Sequence, residues 1–341
     1  MLPVYFKTFA FVRAEPLLAT IVVTAFYYLF STHHQRVFNV SNALLLGLLA
    51  GLGMLTRQWF LAAFFSLFVA LGLLAYRQGV PWQRILGLVT IYGSVALFVS
   101  TPFYLHLNSR EGSPIAFNRP LSRTSLRSTW PEYFGLDLDN LFSDPLRGTF
   151  GLQILPILYS DTWGDYWGYF VFYAREKQTG RYLEGLYADC GRISPEKVAS
   201  GELRFDTNRY EVNAYLGRVN AVSIVPSCLF LAGFLIGLTE LRKSLGYKLQ
   251  DQGQTLIAIL TFFVIVSVLI YFIFLLGYTH DSPATIKTTY LIHIVPFIAL
   301  LGAEALVRLE LRNNLMFRAS LVALVLVILH NIPVLLTRHI L

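Results

Sequence analysis

The residues best suited to chemistry in this chain are a few charged and aromatic side chains at the ends of long apolar segments. Glu15 begins the first such segment, Arg57 lies between the second and third, and Lys287 and Tyr290 begin the seventh. A carboxylate can take up a proton, and fixed cations can stabilise developing negative charge. If these segment ends meet, the sequence predicts one site that combines both abilities with an aromatic surface.

A second group of candidates lies in the stretch Tyr159–Phe170, which is rich in aromatic residues, acids and glycines. Trp163 and Trp167 are four residues apart and would share one face of a helix. Together with Asp161 and Asp165, they resemble a surface on which a sugar stacks while carboxylates bind its hydroxyl groups. An aromatic girdle that holds this stretch against a bilayer explains the same residues equally well.

Several well-known catalytic patterns are absent from the sequence, and their absence narrows the function. There is no GxxxxGK[ST], HExxH or GxSxG motif, which disfavours a nucleotide-driven motor and a zinc protease. Cys190 and Cys228 do not have the spacing of zinc ligands.

The elements that must position these residues are membrane-spanning helices. Of 341 residues, 55% are hydrophobic and 14% charged, and the mean hydropathy is +0.56, whereas a soluble domain carries about 25% charged residues. Segments near the length that a bilayer requires are predicted at Glu15–Phe30, Val40–Leu55, Trp59–Tyr76, Trp82–Leu105, Arg218–Leu241, Thr255–Gly277, Lys287–Val307 and Arg318–Thr337. The predicted fold class is an all-α polytopic membrane protein with about eight transmembrane helices.

The chain is predicted to have three parts: a four-helix membrane part (1–105), a large extracytoplasmic loop of mixed or irregular structure (106–217), and a second four-helix membrane part (218–341). The loop holds 14 of the 20 acidic and 12 of the 27 basic residues, so the charge of +7 belongs to the membrane parts. The stretch from Asp206 to Tyr215 is predicted to be helical. The basic residues of the membrane parts lie in short connections between apolar segments, which is typical of membrane orientation signals and not of a groove that binds nucleic acid. No nucleic-acid partner is therefore expected.

The orientation follows from basic residues in the short connections. With the loop outside, nine Lys and Arg residues lie on the inner side and five on the outer side. Arg57 would then lie near the outer face, at a break between two helices that touch at Thr56-Arg57-Gln58. The glycines at 47, 51 and 53 would allow close helix packing. The expected location is a bacterial cell membrane.

Each candidate also has a structural explanation. Glu15 precedes Pro16 at a helix start, where a carboxylate meets the positive end of the helix dipole. Arg57 could extend along a helix end to reach water. Lys287 could be an interfacial anchor, and Tyr290 part of an aromatic belt. His293 could mark a proton route or form a helix-to-helix hydrogen bond.

Three blocks of the sequence, in order, resemble one known family. Phe11-Val-Arg-Ala-Glu-Pro-Leu-Leu-Ala19, Gly53-Met-Leu-Thr-Arg57 and Lys287-Thr-Thr-Tyr-Leu-Ile-His-Ile-Val-Pro296 are similar to successive blocks of the GT-C superfamily of glycosyltransferases. The resemblance includes the protein O-mannosyltransferase-like and aminoarabinose transferase-like branches (glycosyltransferase family 39-like). In such enzymes a sugar passes from a polyprenyl phosphate to an acceptor hydroxyl at the outer membrane face.

The resemblance implies roles for individual residues. Glu15 matches an acidic residue near the outer end of an early helix and would be a catalytic carboxylate. Arg57 matches the basic residue of an LT[KR] block. Lys287 and Tyr290 match the polar start of a later block and, with Arg57, would bind the donor phosphate. The lipid-phosphate sugar would be the donor substrate, and the acceptor a glycan, lipid or protein. A divalent metal and the oligomeric state are left open.

The chain departs from the family at its start, because the family's main catalytic acid lies in a first outer loop that would precede residue 1. Either the sequence lacks the N-terminal helices and that loop, or Asp161 or Asp165 replaces the missing acid. One alternative is therefore a catalytically incomplete scaffold or subunit that binds lipid-linked glycan. A secondary transporter is the third alternative, and it would require broken helices and mid-membrane ionisable groups.

Overall fold

The computed structural model describes residues 14–34, 38–114, 133–143, 145, 150, 152–164, 174–176, 182–183, 210–211, 214–246, 252–278 and 286–336. These residues form the helices α1 (Ala14–His34), α2 (Val40–Thr56), α3 (Leu61–Arg77), α4 (Trp82–Glu111), α5 (Leu138–Phe142), α6 (Ile154–Trp163), α7 (Ala214–Val222), α8 (Ile224–Gly246), α9 (Gln252–Tyr278), α10 (Val295–Arg312) and α11 (Asn314–Leu336). Two 3-10 helices, Gln58–Phe60 and Thr288–Ile294, lead directly into α3 and α10.

Seven helical stretches are long and apolar enough to cross a membrane. They are Ala14–His33, Gln58–Arg77, Trp82–Glu111, Tyr215–Ser244, Gln252–Leu275, Thr288–Arg312 and Asn314–Val334. They coincide with seven of the eight predicted segments. The eighth is α2, whose 17 residues extend about 25 Å at 1.5 Å per residue, short of the roughly 30 Å core of a bilayer. The chain is thus an all-α, multi-pass membrane protein, and the count of eight spans and the three-part division stay predictions.

The predicted break at Arg57 is confirmed. α2 ends at Thr56, and Arg57 is extended (φ −160°, ψ 143°) before the 3-10 helix Gln58–Phe60 begins. A side chain at Gly53 would collide with the ring of Phe60, so glycine allows the chain after the break to fold back against the end of α2. The break holds the Arg57 backbone in place between two helices.

Glycines also explain how α2 packs against α4. A Cβ atom added at Gly47 would lie 2.7 Å from the Tyr92 carbonyl oxygen, and one at Gly51 would lie 2.6 Å from the Val99 Cβ. Because only a hydrogen occupies these positions, the two backbones approach closely. Tyr92 is fully buried there and donates a hydrogen bond to the Phe64 carbonyl of α3, which joins three helices.

In the second half of the bundle, glycines on α8 likewise allow close helix packing. Gly233 lies directly against the Leu301 carbonyl of α10, and Gly237 against the Thr261 hydroxyl of α9. The two halves meet through a buried aromatic cluster, in which Phe26 of α1 contacts Phe263 of α9 at 4.8 Å and Phe297 of α10 at 5.1 Å. α1 therefore packs into both halves of the bundle.

The region between the halves contains short helices and strands. β1 (Ala174–Glu176) pairs antiparallel with both β2 (Tyr182–Leu183) and β3 (Tyr210–Glu211) in a sheet of order β2-β1-β3. The predicted helix from Asp206 is therefore wrong at Tyr210, since β3 pairs with residues about 35 positions earlier in the chain. Such a long-range pairing leaves no local periodicity to read.

The helices alternate in direction and so define two ends of the bundle. We call one the site end: it holds the start of α1, the break at Arg57 and the start of the 3-10 helix before α10. The other is the basic end. There, Gln78 donates to the His33 carbonyl at 2.6 Å, Arg84 donates to the Phe38 carbonyl at 3.1 Å, and Arg308 pairs with Glu240.

Candidate functional site

The centre of the site end is an ion pair between Glu15 and Arg57. The Arg57 guanidinium donates to Glu15 Oε1 at 2.8 Å, across 42 residues of sequence. The Glu15 side chain is 2% exposed and that of Arg57 is 42% exposed. Glu15 lies in the first turn of α1, where free backbone N–H groups favour a carboxylate. The pair thus exposes the positive guanidinium of Arg57 and buries the carboxylate of Glu15.

The two oxygens of Glu15 differ in their surroundings. Oε1 accepts from Arg57, whereas Oε2 is buried and has no hydrogen-bond partner among the described residues. A buried carboxylate stays charged only when it is compensated, because desolvation favours its neutral form. Arg57 therefore supports the charge of Glu15, and Glu15 in turn fixes the position of the guanidinium.

Aromatic rings connect this pair to Lys287. Trp59 follows Arg57 by two residues and stacks on Tyr290, with centroids 5.0 Å apart and planes 28° apart. The ammonium of Lys287 lies 5.9 Å from the centre of the Tyr290 ring, within the range of a cation–π interaction. One predicted phosphate-binding cation, Lys287, thus lies beside this stack of rings, and the other, Arg57, is two residues from it in the sequence.

The backbone of Lys287 is held from α9. Its N–H donates to the buried Tyr271 hydroxyl at 2.7 Å, and that hydroxyl donates to the Lys287 carbonyl at 3.2 Å. Tyr271 also packs edge-on against Trp59, with centroids 5.7 Å apart. One tyrosine therefore positions both the Lys287 segment and the ring beside Arg57.

Asp161 joins the same end through α6. Its Oδ2 lies 3.4 Å from the backbone N–H of Thr288, the residue after Lys287, and its side chain is only 4% exposed. The Thr288 hydroxyl donates to the Leu158 carbonyl at 3.0 Å and lies 3.3 Å from the Thr162 hydroxyl. These contacts dock α6 against the start of the 3-10 helix, which places Asp161 next to the Lys287 segment.

α6 is held from its other side by α7. Tyr159 donates to the Asn220 carbonyl at 2.8 Å, and the buried Asn220 amide donates to Ser160 and to the Leu141 carbonyl. Burial raises the pKa of the Tyr159 hydroxyl, which therefore remains a neutral donor at physiological pH.

Trp163 is not arranged as an open stacking platform. It is 5% exposed and stacks on Phe230 of α8, with centroids 5.9 Å apart and planes 15° apart. Its role in binding a sugar stays a prediction. Asp165 and Trp167, the other predicted acid and ring of this stretch, lie outside the described residues.

The site end also contains a buried histidine that the sequence singled out, and two aromatic residues that it did not. His293 is fully buried, and neither ring nitrogen has a hydrogen bond of good geometry among the described residues; the predicted helix-to-helix bond is not formed there. The described part of the chain contains no cluster of three or more His, Cys, Asp or Glu side chains that could hold a metal ion. Trp59 and Tyr271 were missed because aromatic residues within apolar helices usually fill the core.

The fold and these contacts define an integral, multi-pass membrane protein that gathers carboxylates, cations and aromatic rings at one end of its helix bundle. Compared with known proteins, the chain matches no family model, no curated protein and no solved structure. Its function therefore has to be argued from the site.

Proposed function

We propose that the chain is a glycosyltransferase, which moves a sugar from a polyprenyl phosphate to an acceptor hydroxyl at the site end. The observation that carries the proposal is the gathering of Glu15, Arg57 and Lys287 around the Trp59–Tyr290 stack. Lys287 lies more than 200 positions after Glu15 and Arg57 in the sequence, and the three residues belong to the blocks that resemble GT-C enzymes. A purely structural ion pair would not require the second cation or the stack.

The lipid phosphate would bind to the half-exposed guanidinium of Arg57 and the ammonium of Lys287. In the reaction, the acceptor oxygen forms a bond to the anomeric carbon and the bond from that carbon to the phosphate oxygen breaks. The leaving phosphate gains negative charge, which nearby cations stabilise more strongly in the transition state than in the bound substrate. Arg57 is the better placed of the two because Glu15 fixes its orientation.

The proton of the acceptor hydroxyl must go to a carboxylate. Glu15 is buried and its Oε1 is held by Arg57, so it suits the role of a positioning residue. Asp161 adjoins Thr288 near Lys287, and Asp165 follows four residues later. We therefore assign proton transfer to Asp161 or Asp165 in this proposal.

The same proposal orients the protein with the site end outside. Described basic residues at the basic end include Arg77, Arg84, Arg242, Lys243, Arg308, Arg312 and Arg318. An excess of Lys and Arg is typical of cytoplasmic connections. In this orientation α2 would be an eighth, short span, residues 106–217 would be extracytoplasmic, and the location would be a bacterial cell membrane.

A transfer assay tests the proposal. The full chain is reconstituted in lipid nanodiscs with a polyprenyl-phosphate donor whose sugar is labelled. A membrane extract supplies the acceptors, and the labelled sugar that is transferred to them is measured. Sugar transfer that is lost in Arg57→Ala and unchanged in Arg110→Ala supports the proposal. Arg110 is a suitable control because it lies at the same end on α4, is 74% exposed and pairs only with its neighbour Glu111 among the described residues. Transfer that is equal in the Arg57 and Arg110 variants would contradict it.

A second candidate is a scaffold that binds lipid-linked glycan without chemistry. The observation that favours it is the burial of Glu15 and Asp161, the two predicted catalytic carboxylates that lie within the described residues, while the Arg57 cation is accessible. Binding of the polyprenyl-phosphate sugar that depends on Arg57, with no transfer to any acceptor, is the result that this candidate predicts.

A further inference from the structure

Six buried polar atoms inside the bundle have no hydrogen-bond partner among the described residues. They are Glu15 Oε2, Ser66 Oγ, Ser267 Oγ, Thr289 Oγ1 and the two ring nitrogens of His293. The five side chains are each at most 2% exposed. Because burying a polar group without a partner costs stability, a concentration of such groups requires an explanation.

The five side chains come from elements that pack together. α1 packs against α3 and against the 3-10 helix that precedes α10, and α9 packs against the same two elements. The unpartnered groups are Glu15 on α1, Ser66 on α3, Ser267 on α9, and Thr289 and His293 on the 3-10 helix. They therefore belong to one junction of four elements.

Ser267 faces the part of the 3-10 helix that contains Thr289. On α9, Phe263, Ser267 and Tyr271 follow at intervals of four residues and so share one face. The Phe263 ring lies 5.8 Å from the His293 ring, and the Tyr271 hydroxyl binds the backbone just before the 3-10 helix. These two contacts are about 12 Å apart along α9, with Ser267 midway between them. Thr289 lies between the same two contacts on the 3-10 helix.

Glu15 lies at the same level of the bundle as Thr289. The Phe26 ring of α1 contacts the Phe297 ring of α10 at 5.1 Å, and both helices run from the site end toward the basic end. Glu15 precedes Phe26 by about 16 Å along α1. Thr289 precedes Phe297 by about 15 Å, because the 3-10 helix rises about 2.0 Å per residue. The buried Glu15 is therefore level with the first turn of the 3-10 helix, against which α1 packs.

Ser66 and His293 lie deeper in the bundle. Ser66 follows Trp59 by seven residues, about two turns, and so lies on the same face of α3. The Trp59 ring contacts Tyr271 of α9 at 5.7 Å. Because α3 and α9 run in opposite directions, two turns along α3 bring Ser66 to the level of Phe263, the ring that contacts His293. We call the five side chains, which lead from Glu15 inward to this level, the polar column.

The chemistry of the polar column selects its ligand. An ionised carboxylate only accepts hydrogen bonds, a hydroxyl both donates and accepts, and an imidazole ring always carries at least one N–H donor. A metal cation binds oxygen atoms but cannot accept from that N–H, and an anion is repelled by Glu15. Water donates and accepts, and a buried water typically forms about three hydrogen bonds to groups that otherwise lack partners. Water therefore suits every member of the column.

We infer that the polar column binds a file of water molecules, which bridges Glu15 Oε2 at the site end to the His293 ring inside the bundle. The file hydrates the carboxylate oxygen that Arg57 does not bind, and it leads from there to a titratable ring in the interior. This site does not depend on the proposed transferase function.

X-ray radiolytic footprinting of the full chain in nanodiscs tests the inference, because hydroxyl radicals formed from bound water oxidise the buried side chains beside it. We expect oxidation of His293, detected by mass spectrometry of its peptide, although this side chain is only 1% exposed. Tyr92 is the internal control. It is fully buried, but its hydroxyl donates to the Phe64 carbonyl, so it should stay unmodified.

Variants test whether the column holds the water. Ser267→Ala/Thr289→Val removes two hydroxyls with little change of shape and should abolish the oxidation of His293. Ser100→Ala is the matched control, since this buried hydroxyl bonds the Ala96 carbonyl of its own helix, and it should leave the oxidation unchanged. Thr289→Val alone should lower the thermal midpoint by about 2 °C, because it removes hydrogen bonds to water.

Three results would overturn the inference. Unmodified His293 in the wild-type chain, or oxidation that persists in the double variant, would show that the column does not hold water. A thermal midpoint that rises in Thr289→Val would indicate a dry interface, in which the hydroxyl is only a cost. A midpoint of the wild-type chain that rises with sodium chloride but not with choline chloride would assign the column to a cation instead.

Discussion

The two ends of the bundle each hold a buried glutamate paired with arginine, but they differ in how completely the pair is satisfied. At the basic end, Glu240 accepts from Arg308 at 3.0 Å and from Lys243 at 3.2 and 3.3 Å, so both its oxygens are engaged. At the site end, Glu15 has one cation and one unpartnered oxygen among the described residues. Similar groups thus serve different purposes at the two ends.

The difference indicates which pair is available to a ligand. Arg308 is held by two carboxylates, Glu240 and Glu304, and its remaining role is to lock α10 onto α8. Arg57 has a single described carboxylate and a side chain 42% exposed, so an anion can approach it without breaking its pair. An arginine held by two carboxylates stabilises the fold, whereas a partly exposed arginine held by one carboxylate can also bind an anionic ligand.

The largest expected effect comes from removing the exposed cation of the site end. Arg57→Ala should lower glycosyl transfer about 100-fold or more, the usual effect of removing one group that stabilises an oxyanion. Arg308→Ala should leave transfer within about threefold, since nothing at the basic end touches the reaction. The transfer assay in nanodiscs measures both variants.

Loss of Arg57 also leaves Glu15 buried without its cation, which could unfold the site end. The double variant Glu15→Gln/Arg57→Gln controls for this because it removes both charges together. It should keep the thermal midpoint of the wild-type chain and still lose transfer. Transfer that returns in the double variant would show that Arg57 acts only as a counter-charge.

The second prediction concerns the stability of the fold. Here the larger effect should come from the basic end and the smaller one from the site end. Glu240→Ala should destabilise the fold by about 2 kcal/mol, since it leaves Arg308 and Lys243 without their shared partner and both are partly screened by water. Glu15→Gln, which preserves the shape of the side chain, should destabilise it less. Unfolding in detergent followed by circular dichroism checks the order, and a larger loss in Glu15→Gln would reverse our comparison.

Lys287 should contribute less than Arg57, because its ammonium lies beside the Tyr290 ring, whereas the Arg57 guanidinium is held in a fixed orientation by Glu15. Lys287→Ala should raise the KM for the lipid-linked donor about tenfold with little change in kcat, as expected for a group that binds substrate and transition state equally. Lys287→Arg should recover most of the affinity. A fall in kcat as large as that of Arg57→Ala would make the two cations equivalent.

The smallest effect should come from Trp59, the ring that lies between Arg57 and Lys287 and stacks on Tyr290. Trp59→Leu removes the stack on Tyr290, worth about 1 kcal/mol, and should weaken donor binding about fivefold. Within the described residues no aromatic ring is found over the Arg308 guanidinium, so the same assay on Arg308→Ala supplies the baseline. Donor binding that is unaffected by Trp59→Leu would separate the stack from the site.

The helices could be predicted from the sequence, and the break at Arg57 as well. Apolar segments of bilayer length have few alternatives, and two of them that touch at Thr56-Arg57-Gln58 leave no room for an ordinary loop. The meeting of Glu15, Arg57 and Lys287 at one end followed from the alternating directions of the helices. The 2.8 Å contact between Glu15 and Arg57 did not, because helix rotation is set by packing between segments.

Other features left no trace in the sequence. Tyr271 reads as one more aromatic residue in an apolar run, and only the fold places its hydroxyl on the Lys287 backbone. In the sequence, Arg308 is one of the nine inner-side bases that indicate orientation, and its pairing with Glu240 depends on where α8 and α10 cross. The strand at Tyr210 was mistaken for helix because its partner in β1 is distant in the chain.

A photoreactive polyprenyl phosphate tests the central claim most directly. The full chain in nanodiscs is irradiated with a probe that carries its diazirine beside the phosphate, and the labelled peptides are identified by mass spectrometry. We predict labelling around Arg57–Leu61 and Lys287–Tyr290, and its loss in Arg57→Ala. Labelling concentrated around Arg308–Arg318, or unchanged in Arg57→Ala, would contradict the assignment of the anionic headgroup to the site end.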